Sequence, residues 1–76
     1  EIVAKAFSRA LRERQERHRE AGLEGAPLAV HRDAIKDAAD LDRRLWSKAY
    51  EGLIKRGYFI EDDDGMVITY HTGVNN

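Results

Sequence analysis

Cysteine is absent from the 76 residues, so no disulfide and no zinc–thiolate centre can staple the fold. Proline occurs once, at Pro27, and glycine does not appear before Gly22, which leaves the first 21 residues without a helix breaker. No apolar run approaches the ~20 residues that cross a bilayer, and no apolar segment of signal-peptide type is present. Neither sign of charge dominates: 13 basic against 14 acidic residues leave −1, so bulk charge alone does not argue for nucleic acid. No glycine-rich loop leads into Lys-Ser/Thr, so a phosphate cradle is missing. His18, His31 and His71 match no metal-ligand spacing, and Ser8 and Ser47 stand outside any nucleophile motif. The acids before Gly65 do not fit a calcium loop either, because its first and last ligand positions would fall on Ile60 and His71. The expectation is a chain that is not an enzyme, with no cofactor and no metal.

What is present suits a small globular unit. Hydrophobic residues make up 42% and charged residues 36%, too apolar for a disordered tail. A chain this short buries only about 60% of its unfolded surface. It holds one core and leaves little room for a pocket of ~300 Å³. It begins at Glu1 rather than Met, and residues 1–76 read as a single domain excised from a longer cytoplasmic protein. Charge is unevenly spread. Residues 1–25 carry six basic against five acidic groups and residues 31–57 seven against five, whereas residues 58–76 carry only Glu61, Asp62, Asp63 and Asp64.

Hydrophobic spacing sets the expected elements. Ile2, Val3, Ala6, Phe7, Ala10 and Leu11 form one apolar face of a helix over residues 1–21. Its second half, Arg12 to Glu20, is polar all round, with Glu13/Arg17 and Arg12/Glu16 spaced for i,i+4 support. Gly22 and Gly25 end it. Pro27 to Val30 reads as a short strand. A second helix is expected at 31–39, and Asp42 is a suitable N-cap for a third at 43–56, with Leu45, Trp46, Ala49, Tyr50 and Leu53 inward. Tyr58 to Ile60 and Met66 to Tyr70 read as two strands joined at Asp64-Gly65, a hairpin over 58–71, followed by a frayed end from Gly73 to Asn76.

The run Asp42, Leu45, Trp46, Ala49, Leu53, Gly57, Tyr58, Phe59 resembles the winged-helix family. There a recognition helix starts at a small capping residue, repeats an apolar position every three or four residues, and ends in glycine before the wing. The segment Leu53 to Phe59 is similar to that passage from helix into wing, and the resemblance covers residues 26–71. It implies an α+β fold: a three-helix bundle with a helix-turn-helix, a short strand and a C-terminal β-hairpin wing. Two positions depart from the pattern. Asp40 stands in a turn where glycine is common, and the tip Glu61 to Asp64 is acidic where DNA-binding wings carry Arg or Lys.

The resemblance implies double-stranded DNA binding through the third helix, in a replication, transcription or mobile-element protein. Arg43, Arg44, Ser47 and Lys48 are the expected base or phosphate contacts, with Lys55 and Arg56 on the backbone. The plainer reading of the same residues is a solvated helix face. A winged helix can also be a protein-docking module with no direct DNA contact, and the neutral net charge and acidic tip favour that alternative. In the DNA-binding reading, a single winged helix buries a modest surface and would need a dimer or the parent protein to bind tightly. Arg12, Arg14, Arg17, His18 and Arg19 form a second basic stretch, but the interleaved Glu13, Glu16 and Glu20 point to self-pairing. Trp46 and Tyr50 read as core residues rather than as a base-stacking pair, and one of Tyr58, Phe59 and Tyr70 is expected to close the core beneath the first helix.

Overall fold

The computed structural model of the chain describes residues 2–70. Glu1, and His71 to Asn76 with the expected hairpin end and frayed tail, lie outside the described residues. Three helices and three strands follow in the order α1 (Ile2–Glu20), β1 (Val30–His31), α2 (Arg32–Ala39), α3 (Arg43–Lys55), β2 (Phe59–Glu61) and β3 (Met66–Thr69). The strands form one antiparallel sheet in the order β1-β3-β2. The architecture is a small α+β fold.

Helix α1 runs straight through its charged half to Glu20. Val3, Ala6, Phe7, Ala10 and Leu11 are its buried stripe. The second half has no fully buried side chain and is held from outside through the half-buried Arg14, Gln15 and His18. Gln15 Nε2 donates to the Pro27 carbonyl at 2.9 Å, and His18 Nε2 lies 3.0 Å from the Glu24 carbonyl. The Arg14 guanidinium reaches the Met66 sulfur at 3.9 Å. The anticipated i,i+4 pairs are not formed among the described residues; Glu16 pairs instead with Arg19, at i,i+3 and 3.0 Å.

The expected strand at Pro27 to Val30 contracts to Val30 and His31, because only these two find partners, Val67 and Met66, on β3. His31 therefore belongs to β1 and not to the second helix. Its extended backbone makes it the N-cap of α2, where Nδ1 accepts from the Asp33 N–H at 3.1 Å. Helix α2 ends at Asp40, whose φ of 51° is left-handed and whose N–H donates to the Lys36 carbonyl. A non-glycine residue in that region costs about 1–2 kcal/mol, and here it also places a carboxylate at the negative end of a helix. Two residues later Asp42 caps α3, its Oδ1 accepting from the Leu45 N–H at 2.9 Å.

Gly57 turns the chain out of α3 at a φ of 76°. Its N–H donates to the Ile54 carbonyl and that of Tyr58 to the Leu53 carbonyl, each at 3.0 Å. This pair of bonds is a Schellman closure, and it aims the next residues into β2. The hairpin turn is longer than the Asp64-Gly65 dipeptide suggested. Residues 62–65 form the loop, and Asp62 Oδ1 accepts from the N–H groups of Asp64 and Met66 at 2.9 and 3.0 Å. An aspartate that bonds its own downstream backbone replaces the two-residue turn.

Phe59 is the residue that closes the core. It is 1% exposed, with ring centroids 5.4 Å from Phe7, 5.8 Å from Tyr50 and 5.4 Å from Tyr58. Trp46 stacks on Tyr50 at 4.9 Å, which settles both as core. Phe59→Ala should lose about 3–5 kcal/mol, leaving a domain of this size barely folded in urea titrations followed by circular dichroism. Asp40→Gly should gain about 1 kcal/mol in the same assay, since it removes both the left-handed penalty and the misplaced charge.

Candidate nucleic-acid interface

Helix α3 owes its orientation to its inner face. Trp46, Tyr50 and Leu53 are buried, and Ala49 and Ile54 are half-buried at the margins. The face is thus centred on the aromatic residues rather than on Ala49. Leu45, expected inward, is 55% exposed. The correction has a packing cause. Tyr50 packs its ring on Phe59 and Trp46 stacks on Tyr50, and the helix rolls to bury these rings, which draws Ile54 in and turns Leu45 out.

The outward side carries all six candidate residues. Arg43, Arg44, Ser47, Lys48 and Lys55 are exposed on α3, and Arg56 is exposed at its C-cap, with Nε donating to the Gly52 carbonyl at 3.3 Å. Arg44, Lys48, Glu51 and Lys55 fall on one stripe at spacings of three and four. Among the described residues, Arg43, Arg44, Lys48 and Lys55 make no ion pair or side-chain hydrogen bond, so their charges face solvent. Arg43 and Arg44 lie in the first turn, which holds no acid. Cations are disfavoured there by a few tenths of a kcal/mol because the helix N-terminus is itself positive. An approaching anion would relieve that repulsion.

The other flank of α3 faces the hairpin. Tyr50, Glu51, Ile54, Lys55 and Glu61 line an open groove of about 450 Å³ between them. A second groove, of about 400 Å³, lies beside the end of α1 and includes Arg12, His18 and Leu23. Both grooves are open to solvent.

The four acids of the hairpin divide into separate roles. Glu61 belongs to the body and not to the tip. Its Oε2 accepts from Arg32 Nη1 at 2.8 Å, and its Oε1 accepts from the Tyr50 hydroxyl. Strand periodicity carried the signal, since Glu61 is two residues from Phe59 and shares its face. Asp62 is engaged by the loop backbone. Asp63 and Asp64 are exposed beside it and complete the tip. The Arg32–Glu61–Tyr50 linkage ties α2, α3 and β2 together, and no spacing rule pointed to it.

Comparison with protein-family models, with curated proteins and with solved structures finds no match for this chain. Among the described residues no helix is long and apolar enough to cross a membrane.

The Tyr50 phenol is pushed above its ordinary pKa of about 10, first by burial and then by its hydrogen bond to Glu61 and that carboxylate's charge, with Arg32 opposing. A raised folded-state pKa means that the fold prefers the neutral phenol. That contribution is complete below the unfolded value and is lost as pH rises beyond it. Wild-type stability should therefore fall as pH rises above about 10. Tyr50→Phe should show a shallower decline in urea unfolding over the same range.

Proposed function

We propose that this chain is a winged-helix domain that binds double-stranded DNA through α3. The observation that supports it most is the exposed stripe of cations on α3, unpaired within the described residues and presented on a helix whose inner face is locked by Trp46, Tyr50 and Leu53. The order of helices and strands, with β1 pairing β3 beside the hairpin, fits that family's pattern. So does the three-residue turn from Ala39 to Arg43, which sets α2 and α3 in helix-turn-helix succession.

In this reading α3 lies in the major groove. Arg44 and Lys48 reach base edges or phosphates, Arg43 and Ser47 flank them, and Lys55 and Arg56 contact the backbone farther along. The acidic tip at Asp63 and Asp64 points away from phosphate, so the hairpin supports α3 without gripping the duplex. Isotope-labelled protein titrated with a random-sequence duplex should show shifts clustered on residues 43–56, weakening as salt rises. Arg44→Ala and Lys48→Ala should each lower affinity and reduce the slope of log K against log salt by about 1. Unchanged spectra at low salt would sink the proposal.

One observation favours a protein-docking role instead. On the sheet face opposite the core, Ile60 is 47% exposed and pairs across the strands with the half-buried Ile68. A docking module would lose its partner on Ile60→Asp and keep it on Arg44→Ala.

A further inference from the structure

Leu45 is the large apolar side chain on the exposed side of α3, set among cations, in the turn that a recognition helix offers to base edges. It is one residue from Arg44 and three from Lys48. On an ideal helix it projects about 60° from Lys48. Gly52 continues the same flank two turns on, and beyond the helix's own backbone and its chain neighbours nothing lies within 4 Å of where its Cβ would stand. That flank is therefore flat beyond Leu45, and a duplex can approach it closely. The hairpin lies on the opposite flank, beside Tyr50 and Ile54, with Glu51 and Glu61 lining the groove there. Leu45 thus neighbours Lys48 on the flank away from the hairpin, and Arg44 stands about 100° round the helix from it, toward Glu51.

A leucine cannot bond a phosphate or a base nitrogen. The major-groove edges of the four base pairs offer one apolar group, the C5-methyl of thymine. We infer that Leu45 is a specificity-determining residue that reads a thymine methyl next to the positions contacted by Arg44 and Lys48. The inference rests on the DNA-binding reading of α3. It adds the chemical identity of one base that the cations, which serve G or phosphate, do not select.

The test begins with selection of preferred duplexes from a random pool by the whole chain. Each thymine in the winning duplex is then replaced singly by deoxyuridine, which lacks only the C5-methyl. At fixed salt, one such replacement should weaken wild-type binding about fourfold, the equivalent of one buried methyl group. Leu45→Ala should bind the thymine and uracil duplexes equally and keep the wild-type salt slope. Its helical circular dichroism should match wild type, since Leu45 is more than half exposed and its bond to the Asp42 cap is made by the backbone N–H, which the substitution keeps.

Duplex binding with the same thymine preference in wild type and Leu45→Ala would overturn the inference and leave DNA binding intact. Duplex binding with no thymine–uracil difference would do the same. Absence of duplex binding by the wild type at low salt would overturn both. A dimer in sedimentation that Leu45→Ala converts to monomer would assign Leu45 to self-association and overturn the inference as well.

Discussion

The Phe59 ring is the constraint on which the other parts depend. It is the point where α1, α3 and the hairpin meet, through Phe7, Tyr50 and Tyr58. A 76-residue chain without disulfides has few ways to hold a two-strand hairpin against a helical bundle. A buried aromatic at the first position of β2 does so. The Schellman closure at Gly57 delivers it there, and Val67 and Val30 continue the apolar floor along the sheet.

The same packing sets the candidate interface. Once Tyr50 lies on Phe59 and Trp46 on Tyr50, the roll of α3 is fixed: Arg44 and Lys48 face solvent, and Lys55, also exposed, borders the groove toward the hairpin. Glu61 then fills the corner between α3 and β2, where Arg32 balances its charge. That ion pair is half-exposed and contributes little by itself. Together with the Tyr50 hydroxyl it fixes the angle between the hairpin and α3. The electrostatic result is a helix with a basic outward side, a mixed groove toward the hairpin, and a separate acidic tip at Asp63 and Asp64.

Much of the element order was legible in the residues. The apolar spacing of Val3 to Leu11 and the capping carboxylate of Asp42 act within one turn of helix. Gly57 acts just as locally. The charged half of α1 was legible as helix but not as an anchor, because Gln15 and His18 bond to a loop whose path the spacing does not reveal. The two-residue strand β1 was overextended, since a strand ends where its neighbour does, and the neighbour is 37 residues away in sequence (Val30 to Val67). The hairpin turn was misplaced for a local reason: an aspartate able to bond its own backbone competes with the Asp-Gly signal.

Short-range forces, encoded within a few residues, determined the three helices, their caps and the hairpin, and they put Arg43, Arg44, Ser47, Lys48, Lys55 and Arg56 on a single element. Tertiary packing decided how that element is rolled, that Leu45 faces out while Ile54 turns in, and that Glu61 is engaged by Arg32 and Tyr50 instead of joining the tip. The division follows from physics. Backbone hydrogen bonds and caps depend on neighbours in the chain, whereas the facing of an amphipathic helix depends on which large side chains find partners across the core, and those partners come from distant segments.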